Sequence, residues 1–252
     1  MSDTLSGFLL WSEPDALRAA FCGVPRLKRE HDNINGWRHF DYVVEEAIPQ
    51  VDVEGPPPFT HRLWVRRGAD RLVLVSNNYR VCEHFIERDL RPVLTAHLRR
   101  ADISVDDLVK RVTEYWTIRA EVSTGNPGGL AGLPSDVRES EWKDFNETYA
   151  LGYASARTDA FSGSLQKIEF QGDNLPSSSF FVDAIPLTRF RSCGLRRKAP
   201  NEQGFPGSYE MLKIGRSGFV SFAVPFSPHE RHMRFRDIEV LLKTLSRFGI
   251  IK

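Results

Sequence analysis

Hydrophobic and polar positions alternate most regularly between residues 60 and 76. Thr60 to Arg67 sets Leu63 and Val65 on one face and Arg62, Trp64 and Arg66 on the other, and Arg71 to Ser76 repeats the alternation after Gly68-Ala69-Asp70. Two period-two runs joined by a short glycine-containing turn predict a β-hairpin. The period then changes. Val81, Cys82, Phe85, Ile86 and Leu90 recur at helical spacing, which predicts a helix from about Tyr79 that Pro92 ends or kinks. A second helix is expected to start at Ser104, with Asp107 three residues on as a capping partner and Val105, Leu108, Val109 and Val112 as its apolar stripe.

The pattern elsewhere is shorter. His39 to Val44, Leu165 to Gln171 and the seven residues WTIRAEV (116–122) alternate as strands do, and Phe180 to Arg191 reads as a strand interrupted or edge-placed at Pro186. Trp142, Phe145, Tyr149 and Tyr153 stand three and four apart, predicting one aromatic-faced helix from about Asp136 to Arg157. Tyr209 to Ile214 and Gly218 to Val224 form a further strand pair around Gly215-Arg216-Ser217. A closing helix carries Ile238, Leu241, Leu242, Leu245 and Phe248, with Gly249 as its cap. Leu17, Ala20 and Phe21 suggest a short helix ending near Gly23, and Pro56 to Pro58 enforce an extended connector.

Strands and helices come in clusters without regular alternation. The fold expected is therefore α+β: mixed, mostly antiparallel sheet with several helices. Ser123 to Pro134 (STGNPGGLAGLP) holds four glycines and two prolines, too many for regular structure. It divides the chain into an expected N-terminal subdomain, 1–122, and a C-terminal one, 135–252, with 123–134 as linker or loop.

Composition narrows the class. A chain of 252 residues, 41% hydrophobic and 27% charged, suits one large or two small globular domains. No apolar run approaches the ~20 residues of a spanning helix, so no membrane partner is expected. The first residues lack a basic segment before their short apolar run, unlike a secretory signal. Cys22, Cys82 and Cys193 are far apart, which argues against a disulfide scaffold or a thiolate zinc site and for a reducing, cytoplasmic setting.

Net charge is only +1, but its distribution is uneven. Residues 101–186 carry 14 acidic and 7 basic side chains, whereas residues 187–252 carry 5 acidic and 13 basic, a net +8. Of the 34 cations, 26 are arginine, whose planar fork suits phosphate and base stacking better than an ammonium does. Arg189 and Arg191 share a face of the predicted strand, with Arg196, Arg197 and Lys198 close behind. Lys213 and Arg216 join the same surface if the following hairpin folds back. Roughly six to ten cations on one face are enough for salt-dependent phosphate binding.

Two further constellations carry chemistry. Asp159 stands ten residues before Glu169, and period two sets Lys167, Glu169 and Gln171 on one strand face. That spacing resembles the PD-(D/E)xK nucleases, with Gln171 where lysine is commoner. The resemblance implies Asp159 and Glu169 holding Mg²⁺ beside a scissile phosphate. GRSGFVSF (215–222) is similar to the end of an RNA-recognition-motif signature through Gly218, Phe219, Val220 and Phe222. Phe219 and Phe222, three apart on a strand, face opposite sides, so at most one belongs to a base-stacking face. His229, Glu230 and His232 lack the HExxH spacing, and no GxSxG, CxxC or GxGxxG occurs.

The function expected is a non-catalytic nucleic-acid-binding subunit of a larger bacterial complex, using Arg189, Arg191, Arg196, Arg197, Lys198, Lys213 and Arg216, with no cofactor. The first alternative is a protein-interaction subunit, docking through the acidic middle and the exposed-looking Trp64 and Trp142. The second is the Mg²⁺-dependent nuclease using Asp159, Glu169 and Gln171.

Overall fold

The structure is a computed structural model, and it describes residues 2–11, 24–67, 71–94, 98–123, 139–158, 167–198 and 209–252. Along the chain run β1 (Ser2–Trp11), β2 (Leu27–Ile34), β3 (Trp37–Val44), β4 (Phe59–Arg67) and β5 (Arg71–Ser76). Next come α1 (Tyr79–Phe85) with a π-helical turn at Ile86–Leu90, β6 (Arg99–Arg100), α2 (Val105–Ser123), α3 (Glu139–Thr148), β7 (Tyr149–Thr158) and β8 (Ile168–Gln171). The last elements are α4 (Ser179–Ala184), β9 (Thr188–Arg197), β10 (Tyr209–Gly215), β11 (Phe219–Pro225) and α5 (Pro228–Arg247). Every strand pairing described below is antiparallel, so the protein is α+β. No helix among the described residues is long and apolar enough to cross a membrane.

The chain forms two compact units, Met1–Asp102 with Ser217–Lys243, and Ile103–Arg216 with Thr244–Lys252. In the first unit the strand order is β2-β3-β4-β5-β1-β11, and β6 also pairs β1. Alternation sends Tyr42, Leu63, Val65, Leu72, Leu74, Phe8 and Leu10 to one face, where they pack with Val81, Cys82, Phe85, Ile86 and Leu90 of α1 and its π-helical turn. The opposite face packs on α5: Phe235 lies 4.8 Å from the Trp37 ring and 5.0 Å from that of Trp64, and Phe222 meets it edge-on at 6.0 Å. Arg66 donates to Glu239 on the same helix at 2.7 Å. The sheet is thus a layer between two helical elements.

β1 is an interior strand of this sheet, paired with β5 and β11, and both of its faces are buried, which is why no alternation marks it. Leu5 and Leu9 face one way and Phe8 and Leu10 the other. Gly7 is required there: a methyl group would strike the Leu74 carbonyl and Val75 Cα of β5. β2, at the sheet edge, is charged and carries two register shifts against β3, features that discourage pairing with another chain.

In the second unit the order is β10-β9-β7-β8. Phe170 and Phe190 point to one face, where Phe181 of α4 packs at 5.1 Å and 5.8 Å from their rings. Trp142 of α3 stacks on Phe248 at 4.1 Å, with Phe145 edge-on to both.

Three expectations are corrected. WTIRAEV is not a strand but the end of α2. Once a helix is nucleated at Val105, extension costs less than starting a strand, and Arg, Ala and Glu favour it. The aromatic helix does not reach Arg157; it stops at Thr148, and Tyr149–Thr158 is β7, paired along its length with β9. Tertiary pairing there overrides the local period. Phe180 to Arg191 is not a single strand, because α4 and a 3₁₀ turn at Ile185–Leu187 occupy its first part and β9 begins only at Thr188. Pro186 fits the second position of that turn. Residues 124–138, which include most of the expected linker, the expected short helix within 12–23 and Asp159 lie outside the described residues.

Candidate functional site

β9 positions most of the expected cations, and local geometry sorts them into two groups. Arg196 is held within the fold. Its arm lies across Gly152, the extra residue of a bulge in β7, and its guanidinium donates to the Gly172 carbonyl at 3.3 Å and Asp173 at 2.8 Å. Lys198 donates to the Asn146 carbonyl at 2.5 Å and sits 4.2 Å from the Trp116 ring centroid. Arg216 pairs with Asp106, at the start of α2, and its Nε donates to the Phe190 carbonyl at 2.6 Å. Asp106 in turn accepts from the Phe190 backbone N–H at 2.6 Å. Arg197 is half-buried at the end of β9. Arg196, Lys198 and Arg216 thus have structural work, and their charges are compensated or committed locally.

Arg189, Arg191 and Lys213 form the second group. Arg189 and Arg191 are exposed, and Arg191 is the extra residue where β9 shifts register against β7. Arg189 stands opposite exposed Arg157 on β7, a residue whose place at the end of an expected helix gave no sign of this pairing. Lys213 stands opposite Gly194, which stands opposite Tyr153. With no side chain at Gly194 between them, the Lys213 ammonium reaches 3.8 Å from the Tyr153 ring centroid. Directly opposite residues share a face, and Tyr153, Ser155 and Arg157 alternate along β7, so Arg157, Arg189, Lys213 and Tyr153 lie on one side of the sheet. Phe170, Phe190 and Ala154 take the other.

The same open side carries Glu169 and Gln171 of β8, both exposed. Tyr153 donates to Glu169 at 2.8 Å and Lys167 pairs with the same carboxylate oxygen at 2.7 Å. These bonds, that of Lys167 foremost, hold the Glu169 carboxyl below its ordinary value. Of the three residues of the nuclease reading, two therefore share a face, one of them already bonded to a cation. No group of three His, Cys, Asp or Glu able to hold a metal ion occurs among the described residues.

The aromatic strand and the two tryptophans do not offer open rings. Phe222 is buried between Trp37 and Phe235, and Phe219 packs edge-on to Phe8 and Tyr79 on the other face of the sheet. Trp64 and Trp142, expected as exposed docking residues, are 6% and 9% exposed. Large aromatic groups are driven inward by the area they remove from water, and isolated sequence context does not show which face is covered.

No protein-family profile, curated protein or solved structure matches this chain.

Proposed function

We propose that this chain is a non-catalytic nucleic-acid-binding subunit of a larger complex, and that it contacts the phosphate backbone through the open face of the β7–β10 sheet. The observation that carries this reading is the grouping of exposed Arg157 and Arg189 with Lys213 on that face, with Tyr153 among them and exposed Arg191 at the adjoining bulge of β9. Guanidinium groups on a rigid strand lattice suit phosphate oxygens, and counterion release makes such binding strongly salt-dependent. Arg196, Lys198 and Arg216 serve the unit's own structure in this reading and contribute little to contact.

Fluorescence anisotropy with labelled single- and double-stranded oligonucleotides at two salt concentrations tests it. Binding should weaken steeply with salt and be lost when Arg157, Arg189, Arg191 and Lys213 are changed to Ala together. Salt-insensitive binding, or binding that ignores those changes, overturns it.

A protein-docking role is favoured by a different observation: Phe180 and Leu187, close in sequence around the 3₁₀ turn, are 73% and 55% exposed. Exposed apolar groups of this size mark interaction surfaces when they are contiguous. Light scattering of wild type and Phe180→Ser, alone and with candidate partner proteins, separates this role from the first.

A further inference from the structure

β8 ends the strand order of the second unit, and the pairing on its inner side determines what its outer side presents. Tyr153 stands opposite Gln171 and Ala154 opposite Phe170, and the Gly172 N–H donates to the Gly152 carbonyl at 3.0 Å. Bonded and unbonded pairs alternate along an antiparallel ladder, so Ala154 and Phe170 exchange bonds as Gly152 and Gly172 do. The N–H and C=O groups of Glu169 and Gln171 therefore point away from β7. Among the described residues no backbone hydrogen bond reaches them.

Natural sheet edges are commonly blunted by proline, a bulge or charged side chains. β8 is short, but it holds no proline and pairs with β7 without a register shift. Its one charge is matched, since the Glu169 carboxylate accepts from Lys167 at 2.7 Å and from the Tyr153 hydroxyl at 2.8 Å. The apolar side of this edge is also incomplete. Phe181 is buried against Phe170 and Phe190, whereas Phe180 meets the Phe170 ring at 6.1 Å and remains exposed.

We propose that this edge binds a second copy of the chain by antiparallel β8–β8 pairing centred on Phe170. Closed dimers are two-fold, so if one residue faces another the reverse contact also forms. Use of both outward residues sets Glu169 opposite Gln171 of the second copy, and each such pair exchanges both of its backbone bonds. Phe170 then faces Phe170 on the side where Phe180 is exposed, and exposed Lys167 comes toward exposed Asp173 at either end. A centre on Glu169 would oppose that carboxylate to its own copy, and a centre on Gln171 would oppose Glu169 to Asp173. Of the three registers, only the one centred on Phe170 is self-complementary in charge.

Directly opposed residues share a side of the sheet, so both copies turn Tyr153, Arg157 and Arg189 to one face. One short strand per copy buries less than a standard interface of roughly 1,600 Å², so the dimer is weak and concentration-dependent. The proposal does not rest on nucleic-acid binding. It takes from the docking reading only the exposed Phe180.

Sedimentation equilibrium of the full chain without nucleic acid, from low micromolar to submillimolar concentration, tests the proposal. Wild type should pass from monomer to dimer across that range. Gln171→Pro removes an outward N–H that β7 does not use, a change that edge strands tolerate, so it should abolish the dimer and leave the circular dichroism spectrum unchanged. Gln171→Lys should tighten the dimer and Gln171→Glu loosen it, each by about threefold or more, because each variant residue faces Glu169 of the second copy. These two variants decide the matter even if the proline variant does not fold. A dimer lost in Gln171→Pro but kept in Phe180→Ser would sustain the strand edge and dismiss the docking reading of Phe180. A chain that stays monomeric throughout, a dimer indifferent to Gln171→Pro, or lysine and glutamate variants that act in the same direction overturns the proposal.

Discussion

Arg196 occupies the space that a side chain at Gly152 would fill. A methyl group there would overlap the Cγ and Cδ of Arg196, so the bulge glycine of β7 and the arginine of β9 form one structural device. Gly152→Ala should push the arm away from Gly172 and Asp173 and destabilise the protein by about 1–2 kcal/mol, since a side chain can shift where backbone cannot. Urea unfolding measures the loss. Arg196→Ala in the Gly152→Ala background should add less than Arg196→Ala in wild type, because the two changes remove the same contacts.

Gly7→Ala should be more damaging. The added methyl meets the backbone of Leu74 and Val75 across β1 and β5, which cannot move without breaking the ladder. A loss of about 3 kcal/mol or more is expected, at the upper end for overpacking. Thermal unfolding followed by circular dichroism reads it, and Gly55→Ala serves as control because no atom lies near the added group there, leaving only the cost of its positive φ of 82°.

The Arg66–Glu239 pair ties β4 to α5 and makes stability depend on pH. Burial opposes ionisation of Glu239, but Arg66 and Lys243 outweigh it and hold the carboxyl below its ordinary 4.5. A carboxyl depressed in the folded state stabilises fully above its unfolded value, and that contribution is lost as pH falls through the folded one. Arg66→Ala should therefore cost about 1–3 kcal/mol at pH 7. The gap between variant and wild type should narrow below about pH 4.5, in denaturant titrations across pH 3 to 7.

Cys82 and Cys193 should be inert to thiol reagents in the native state. Both are buried, and burial alone pushes the Cys193 thiol up to about 12. The thiolate is the reacting form, so at pH 8 modification must await local opening. In a Cys22→Ser background, Ellman's reagent should react at the rate of native-state opening and become fast only in denaturant.

For the proposed interface, the double variant Arg189→Ala, Arg191→Ala should lower the slope of log affinity against log salt by about 1–2. Arg216→Ala should leave that slope nearly unchanged while lowering stability, because it removes the partner of Asp106 at the start of α2. A slope that falls equally for both variants would place the contact surface elsewhere.

The residue pattern by itself determined those elements in which one face is wet and the other dry. β4 and β5 alternate, α1 and the first turns of α2 carry a clear stripe, and α5 ends at Arg247, two residues before Gly249, whose φ of 68° meets the need of a left-handed cap. The charge asymmetry was likewise legible, but the face of Arg191 was not, because it is the extra residue of a bulge in β9 where the period of two is interrupted. Tertiary structure alone decided the rest. β1 is an interior strand buried on both sides, so nothing in its own residues alternates. β7 is a strand because nine of its residues find partners on β9, a long-range term that outweighs its helix-like aromatic spacing. That same pairing set Arg157 opposite Arg189, and the missing side chain of Gly194 let Lys213 reach Tyr153. Register between strands distant in sequence is a property of the assembled sheet, and the chain's local chemistry contains it only once the strands have met.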